Sequence, residues 1–447
     1  MISQEIREFR YESGDLQKVQ VVRFGSFSEM DFLTPDFDPE SFDRLADLYE
    51  DYIIKKYAFA FGNLVLFRLP EGYQVRPVRG DPEYGDIYDP LISASITMER
   101  ALRFKSGEPV FSDPEAGELF RYLRETGCLR TVRGMWNTVR ILPVSDRFGF
   151  LSRSRADARL KVNSSFFIMD GFDCASRYDS IGTPFGLCVK DGKILSPPMF
   201  GRQVFHVSKS GETEITGADL TDLTVHIGDM SFRHGENCRI FQRPAAGRTP
   251  AGGYDTVICG NRVTAAKTGG KTCIPAAGFV IRTDAPIRDA EGITVTYSGM
   301  PDTAFAVQVG NSTVVGGKKT DSFISPFYSF MRPFTPSYPP TFYPLSYKKA
   351  RAPRIVLGAD GEGEPMLLWF EGAGKFGYRP GTDSCGASLS EAADICCQLG
   401  MRDGIHLDGG GSAQILLNGK RTLMVSDRDA ENFNEAERAV PNGLFIM

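Results

Sequence analysis

The chain has 447 residues, of which 42% are hydrophobic and 24% charged, and its formal net charge is −5. This composition is typical of a globular protein with enough apolar residues for two or three domains. The slightly acidic balance argues against a nucleic-acid partner, and no apolar run reaches the roughly 18 residues that a membrane-spanning helix needs.

The nine cysteines are spaced irregularly, without a Cys-x-x-Cys pair. The first residues also lack the basic-then-apolar pattern of a secretory leader. Together these features favour reduced thiols and a cytoplasmic location, whereas a leader that had been removed would imply secretion.

Residues 1–150 differ in pattern from the rest of the chain. Apolar spacing predicts helices over 41–56 and 112–126, and the run 63–69 is typical of a strand. Because this part contains no chemical motif, we predict a smaller α/β domain with an accessory role that the sequence does not define.

Residues 151–447 alternate short apolar runs with glycine-rich turns. The patterns predict strands over 160–167, 256–263 and 278–282, hairpins over 185–194 and 355–370, a turn at 418–419, and one helix over 388–399. Ser388 is a typical N-cap of that helix, with Glu391 three residues later and Gly400 after its end. The fold class we expect is α+β, with mixed, largely antiparallel sheets and few helices.

An insertion over 322–347 interleaves phenylalanine and tyrosine with proline. So much proline excludes regular structure, and so many aromatic residues argue against simple disorder. The segment fits either an ordered flap that stacks on sugar rings or a loop that packs on the protein's own surface or on a second copy.

The segment 405–417 carries the clearest chemical pattern. Apolar residues lead to Asp408, the three glycines Gly409, Gly410 and Gly411 follow, and Ser412 precedes a second apolar run. This predicts a strand, a tight turn and another strand. Such a turn either brings backbone N–H groups to an anionic or sugar ligand, or is simply a glycine-rich hairpin.

Other motifs carry less weight. The segment 265–272 resembles a relaxed phosphate-binding loop, but Pro275 and Gly278 follow too soon for a helix, so we predict a polar turn. The four histidines lack metal-ligand spacing. The run 427–431 alternates oxygen side chains like a calcium loop but has no central glycine, and Arg438 stands where a glutamate belongs. We therefore predict no metal and no cofactor, with calcium as the lesser alternative.

Five pieces of the chain, in order, resemble the phosphodiester glycosidase family. They are 163–167, 183–193, 353–358, 388–412 with its helix and Leu-Asp-Gly-Gly-Gly-Ser motif, and 437–443. The resemblance covers about 155–447, although Ser164-Ser165 replaces a glycine and Ile355-Val356 replaces Thr-Ala. It implies a hydrolase that separates a sugar, of the N-acetylglucosamine type, from the phosphate of a sugar-1-phosphodiester.

The chemistry of that reaction suits the residues in these motifs. The leaving group is a phosphate monoester, whose second pKa is near 6, so little help from a general acid is needed. An arginine fork can hold the phosphate oxygens, and a carboxylate can attack the anomeric carbon or activate water.

The resemblance implies a role for each of these residues. Asp408 would be the nucleophile or base and Glu437 the second carboxylate, while Arg354 and Arg438 would clamp the phosphate or orient the carboxylates. Substrate contacts would come from Asn163, Phe166, Phe167, Gly409, Gly410, Gly411, Ser412 and Asn442.

Structural alternatives remain for several of these residues. Glu437 and Arg438 could form an ion pair, Asn163 could be a turn residue, and one of Phe166 and Phe167 is expected in the core. His406 shares a face with Asp408 in a strand, and we expect a structural histidine with satisfied hydrogen bonds.

Two other functions fit the sequence. One is an ordinary O-glycosidase on the same scaffold, and the other is a glycan-binding module without catalysis. In each case the partner is a carbohydrate or a sugar phosphate, and the oligomeric state is not determined.

Overall fold

The computed structural model describes residues 1–35, 149–167, 182–199, 202–242, 248–272, 274–275, 277–320, 351–372, 381–427 and 435–447, with the backbone of four short strands between 102 and 141. The predicted helices over 41–56 and 112–126, the predicted strand over 63–69 and the aromatic insertion 322–347 lie outside the described residues.

The described residues form mainly strands. In chain order these are β1 (Ser3–Arg10), β2 (Leu16–Arg23), β3 (Met30–Leu33), β4 (Leu102–Lys105), β5 (Glu108–Phe111), β6 (Thr131–Arg133), β7 (Val139–Ile141), β8 (Leu160–Asn163), β9 (Cys188–Lys190), β10 (Lys193–Ser196), β11 (Gln203–Ser208), β12 (Thr213–Gly217), β13 (Thr224–Ile227), β14 (Met230–Arg233), β15 (Arg239–Phe241), β16 (Ala251–Cys259), β17 (Arg262–Gly270), β18 (Gly278–Thr283), β19 (Val295–Ser298), β20 (Thr303–Val307), β21 (Ser312–Val315), β22 (Lys318–Lys319), β23 (Arg354–Asp360), β24 (Pro365–Phe370), β25 (Met401–His406), β26 (Ile415–Leu417) and β27 (Gly443–Ile446).

Helical structure is sparse in the part of the chain that is described. The α-helix α1 spans Leu389–Gln398, and 3-10 turns span Phe27–Glu29, Leu220–Asp222 and Gly410–Ser412. The strands pair antiparallel throughout the central sheet, as in β23 with β24 and β25. The predicted antiparallel sheets are confirmed, whereas the α+β class is corrected to a largely β fold.

The central sheet has the strand order β1-β2-β24-β23-β25-β21-β22. Helix α1 covers one of its faces, where Val356 and Leu368 pack with Ala392 and Ile395. The predicted helix start is confirmed, because Ser388 and Glu391 form a reciprocal capping box that satisfies helix N–H groups.

A second core lies among three smaller sheets. These have the orders β10-β9-β20-β11-β12, β14-β13-β19 and β15-β18-β16-β17. Buried apolar side chains such as Leu187, Phe279 and Val295 join them in one cluster. Burial of this apolar area is the main stabilising contribution to that half of the fold.

The first strands belong to sheets formed by the C-terminal residues. β2 pairs with β24, and β3 pairs with β27 at the end of the chain. Residues 1–33 therefore belong structurally with the second predicted domain. The division at 150 stays a prediction for the intervening residues.

Several local expectations can be compared with the structure. The 185–194 turn is confirmed, with Asp191 and Gly192 at positive φ of 50° and 81° between β9 and β10. The strand expected over 256–263 is wrong, because β16 turns at Asn261 (φ 57°) into β17. The polar turn expected over 265–272 is also wrong, since 265–270 continues β17.

Candidate active site

The candidate site lies at one edge of the central sheet, where β23 begins and β25 ends. Val356 and His406 are direct partners in these antiparallel strands. Arg354 lies two residues before Val356, and Asp408 lies two residues after His406. The antiparallel register therefore brings Arg354 and Asp408 to the same edge of the sheet.

The three glycines after Asp408 have different physical roles. Gly410 has a φ of +60°, a backbone conformation that glycine adopts at little cost. A Cβ on Gly409 would lie 2.7 Å from the Pro353 carbonyl oxygen, and one on Gly411 would lie 2.0 Å from Nη2 of Arg438. Two of the glycines are thus required by close packing and one by its dihedral angle.

The backbone N–H groups of this turn are partly used within it. Gly409 N–H donates to Oδ1 of Asp408 at 2.9 Å, and Gly410 N–H donates to the Pro353 carbonyl at 2.9 Å. These bonds fix the Asp408 carboxylate against the turn. Ligand contacts by Gly409, Gly410 and Gly411 remain a prediction.

Asp408 is a partly exposed carboxylate in an otherwise buried setting. Its N–H donates to the Ser164 carbonyl at 2.8 Å. Burial raises the pKa of Asp408 from 3.8 to about 6, against the opposing effects of Ser412, Arg438, Gly409 and Arg354. A carboxyl group with such a pKa can change its protonation state near neutrality.

Arg354 faces this carboxylate from the start of β23. It is 8% exposed, and its Nε donates to the Ala387 carbonyl just before α1 at 3.1 Å. Burial lowers the pKa of Arg354 to about 10, whereas the charge of Asp408 acts to raise it. A pKa of about 10 still leaves the guanidinium charged at neutral pH.

Arg438 is held by Asp427 in a buried, two-pronged ion pair. Nε donates to Oδ2 at 2.8 Å and Nη2 to Oδ1 at 3.0 Å, and the two side chains are each 5% exposed. The Arg438 Nη1 group also lies 3.5 Å from the Ser412 hydroxyl. Arg438 therefore links Asp427 to the turn that carries Asp408.

Glu437 has a separate set of partners. Its Oε1 accepts the Ser152 N–H at 3.0 Å, and its Oε2 accepts from Nη1 of Arg421 at 3.0 Å. None of these contacts is shared with the hydrogen bonds by which Arg438 reaches Asp427 and Ser412. These contacts do not support a catalytic role for Glu437, and that role stays a prediction.

Asn163 is buried, and its side chain hydrogen-bonds to the backbone on both sides of the glycine turn. Its Nδ2 donates to the Asp408 carbonyl at 2.7 Å, and its Oδ1 accepts the Gln414 N–H at 3.0 Å. The side chain therefore joins β8 to both ends of the glycine turn. Its predicted contact with a sugar hydroxyl is untested.

The aromatic pair on β8's continuation is fully inside the protein. Phe166 is 5% exposed and Phe167 is 3% exposed. The prediction placed one of them in the core and one against substrate. Both contribute to the core in this structure, and their contact with substrate stays a prediction.

His406 is buried beside the site. It is 3% exposed, and no hydrogen bond of good geometry reaches either ring nitrogen from the described residues. Burial and the charge of Arg354 lower the pKa of His406 to about 3, against the Ile355 backbone, which favours the protonated ring. The expectation of a histidine with satisfied hydrogen bonds is therefore not confirmed, and His406 is a neutral imidazole in this setting.

A cavity of about 540 Å³ has one of the predicted site residues, Asn442, in its lining, whereas Asp408, Arg354 and Arg438 do not line it. Asn442 lines the cavity, and its Oδ1 accepts the Ser165 N–H at 2.8 Å. That N–H and the Ser164 carbonyl, which accepts the Asp408 N–H, belong to the same peptide group. This peptide group therefore connects the cavity-lining residue Asn442 to the backbone of Asp408 through two hydrogen bonds.

Sequence reasoning missed two residues of the cluster, Asp427 and Gln414. Gln414 donates through Nε2 to the Arg438 carbonyl at 3.3 Å. In the sequence, Asp427 is notable only as the first residue of the run 427–431, which resembles the start of a calcium-binding loop. Both of its oxygens accept hydrogen bonds from Arg438, and among the described residues no group of three or more His, Cys, Asp or Glu could hold a metal ion.

Comparison with known proteins gives the class of this domain. Residues 253–447 match the family model described as phosphodiester glycosidase. This part of the chain is a phosphodiester glycosidase family domain, which confirms the resemblance over residues 253–447, whereas Asn163, Phe166 and Phe167 lie outside the matched range. A search of curated proteins found no match.

Solved structures include distant likenesses to the whole chain. A hypothetical protein from Synechocystis is 15% identical with a TM-score of 0.42, and this chain covers 62% of its length. The zebrafish N-acetylglucosamine-1-phosphodiester alpha-N-acetylglucosaminidase catalytic domain, auto-inhibited by its pro-peptide, is 11% identical with a TM-score of 0.38 and 82% of its length covered. A putative exported protein from Burkholderia pseudomallei K96243 is 14% identical with a TM-score of 0.40 and 96% covered. Each alignment covers 100% of this chain.

Proposed function

We propose that this protein hydrolyses the bond between sugar and phosphate in a sugar-1-phosphodiester, with Asp408 as the nucleophile or base. The observation that carries the proposal is the setting of Asp408, a partly exposed carboxylate whose pKa is raised to about 6 beside Arg354 and Arg438. The family match of residues 253–447 supports the reaction class.

The two arginines have different parts in this proposal. Arg354 places a buried positive charge near Asp408, where it would hold the phosphodiester and offset the charge that develops on the leaving phosphate. Arg438 is already engaged by Asp427, so it would orient the Asp408 turn through Ser412. Charge-assisted hydrogen bonds of this kind fix geometry as well as adding energy.

The chemistry needs Asp408 in its ionised form. As nucleophile, the carboxylate would attack the anomeric carbon and the bond to the phosphate oxygen would break, after which water would release the sugar. As base, it would take a proton from the attacking water. In both cases the leaving phosphate monoester departs without an obligatory proton from the protein.

The test is hydrolysis of a panel of sugar-1-phosphodiesters, sugar nucleotides and aryl glycosides by wild type, Asp408→Asn and Asp394→Asn. Asp394 is an exposed residue of α1 paired with Lys319 and serves as the matched control. We expect release of sugar from the phosphodiesters, a loss of roughly 10²–10⁴-fold in Asp408→Asn, and full activity in the control.

The other outcomes assign the alternative functions. Turnover of aryl glycosides alone would indicate an ordinary O-glycosidase. Sugar binding without turnover of any substrate would indicate a glycan-binding module. Phosphodiester hydrolysis that survives in Asp408→Asn would contradict the role given to this carboxylate.

We also propose that the protein works in the cytoplasm on a carbohydrate or sugar-phosphate partner. Reduced cysteines such as Cys188, Cys238 and Cys396 fit a reducing compartment. Within the described residues, no helix has the length and apolar character needed to cross a membrane.

A further inference from the structure

The strand β1 lies at one edge of the central sheet. Among the described residues, β1 pairs with β2 on one side and with no strand on the other. The outer edge of such a strand presents backbone N–H and C=O groups that can pair with a further strand. Proteins that keep an edge unpaired often shorten it, whereas β1 has eight residues.

Both faces of β1 are accessible. Seven of its eight residues are exposed, and the eighth, Phe9, is partly buried. Ile6 in the middle of the strand is 48% exposed. A second strand can therefore approach β1, and contact between Ile6 and another apolar side chain would remove exposed apolar surface from water.

Each face of β1 carries one acidic and one basic side chain. Glu5 and Arg7 share a face and form an ion pair at 2.8 Å, with side-chain exposures of 50% and 51%. Glu8 and Arg10 lie on the opposite face, because side chains alternate along a strand. Charges on an edge normally discourage pairing, but a strand that offers the reverse order of charges would be attracted.

A second copy of β1 supplies that reverse order. Two identical antiparallel strands related by a two-fold axis pair about a single residue, because directly opposed side chains lie on the same face. With Ile6 on the axis, Ile6 lies opposite the partner's Ile6, and Glu5 lies opposite the partner's Arg7 on each side. Residues 3–9 of the two strands overlap, and no like charges are directly opposed.

The other registers of the same pairing are less favourable. Centring the pair on Glu5, Arg7 or Glu8 would place two like charges directly opposite each other, which is destabilising. Centring it nearer either end of β1 would leave at most three residues of the strand overlapping. The charge pattern therefore selects one register, centred on Ile6.

We propose that β1 is a homodimer interface, at which two copies of the chain join their central sheets antiparallel about a two-fold axis through Ile6. Backbone hydrogen bonds between the two β1 strands hold the copies together, and the Glu5–Arg7 pairs set the register. Two strands of this length form a contact at the small end of specific interfaces, so dimerisation depends on protein concentration. The dimer does not depend on the proposed function.

The test is sedimentation velocity of the full chain over a range of protein concentrations, with charge-reversal variants of β1. Glu5→Arg and Arg7→Glu each place like charges opposite each other in the dimer. The double variant, Glu5→Arg with Arg7→Glu, restores opposite charges in the reversed order. Arg233→Glu is the matched control, because Arg233 forms an exposed ion pair with Glu236 at the end of β14.

We expect wild type and Arg233→Glu to dimerise equally as the concentration rises. Each single variant should dimerise at least about tenfold more weakly, because two attractive pairs become repulsive. The double variant should dimerise like wild type. An equimolar mixture of Glu5→Arg and Arg7→Glu should form a heterodimer, since each supplies the charges that the other needs, and this result would also show that both are folded.

Hydrogen exchange locates the interface. The backbone amides of β1 should exchange more slowly in the dimer than in the monomer, because the outer edge gains hydrogen bonds. The proposal is overturned if wild type stays monomeric, if the single variants dimerise as strongly as wild type, or if their mixture does not associate. A wild-type dimer with unchanged exchange in β1 would also overturn it, because the copies would then meet elsewhere.

Discussion

Arg438 and Asp427 form a buried ion pair through two parallel hydrogen bonds of 2.8 and 3.0 Å. The pair lies directly against Gly411, where even a methyl group would collide with both side chains. Arg438 then reaches Ser412. The Arg438–Asp427 ion pair and the turn that carries Asp408 are therefore joined in one hydrogen-bonded network.

Removing the charge of Asp427 should destabilise the fold strongly. In Asp427→Asn the buried Arg438 would lose the carboxylate that accepts two of its hydrogen bonds, and removal of one partner of a buried ion pair costs about 3–5 kcal/mol. The measurement is the free energy of unfolding from urea titration, with activity followed on the same samples. Activity should fall as well, since Arg438 would no longer be held against Ser412.

The matched control for this change is Asp394→Asn. Its pair with Lys319 is exposed, with 52% of the Asp394 side chain accessible, so a loss of about 0–1 kcal/mol is expected. Equal losses of stability in the two variants would show that the buried Asp427–Arg438 pair contributes no more to the free energy of unfolding than the exposed Asp394–Lys319 pair.

Features of this site that depend on residues close together in the sequence can be predicted from it, whereas contacts between residues far apart in the sequence cannot. The strand, turn and helix signals around Asp408 and Ser388 are local, and the structure contains them as expected. The edge shared by Arg354 and Asp408 follows from strand register, which is not visible in either motif alone.

The partners of Asp427 and Glu437 cannot be read from the sequence for the same physical reason. Asp427 has acidic neighbours in sequence, yet its partner Arg438 is eleven residues away and meets it only through the fold. Glu437 and Arg438 are adjacent in one motif, but Glu437 accepts a hydrogen bond from Arg421 and Arg438 donates to Asp427. The catalytic role of Glu437 stays a prediction.

Gly411→Ala and Gly410→Ala should differ although the residues are neighbours. The alanine methyl at 411 would collide with Arg438 and Asp427, a packing defect that costs about 1–3 kcal/mol and displaces the site. At 410 the space is open, so the cost of about 1 kcal/mol arises from the positive φ alone. Urea unfolding and kcat/KM of both variants would check this, and activity lost only in Gly410→Ala would contradict it.

His406→Leu should change the acid side of the stability curve. The folded state holds the pKa of His406 at about 3, against 6.5 for the free side chain. Stability is therefore fully present above pH 6.5 and is lost as the pH falls towards 3, by roughly 2–3 kcal/mol at pH 4.5. The leucine variant should lose less stability between pH 7 and pH 4.5.

The free energy of unfolding of both proteins over this range is the measurement for His406. At pH 7 the variant should be as stable as wild type or more so, because no hydrogen bond of good geometry reaches the imidazole nitrogens from the described residues. A steep loss of stability at pH 7 in His406→Leu would show that the imidazole makes a hydrogen bond in solution. His226→Leu is a control at a histidine whose ring nitrogens contact Ser231 and Ser298.

Asp408→Asn should gain stability while it loses activity. The folded state raises the pKa of Asp408 from 3.8 to about 6, so the neutral form is the one that folding favours. The cost of ionisation is therefore absent below about pH 4, grows as the pH rises from 4 to 6, and is constant above about 6. The unfolding temperature of Asp408→Asn should exceed that of wild type at pH 7.5, with a difference that shrinks towards pH 5. Over the same range kcat/KM of wild type should increase with pH through about 6, because the reaction needs the carboxylate. A variant that is less stable than wild type at pH 7.5 would show that Arg354 and Arg438 stabilise the charge more than burial opposes it.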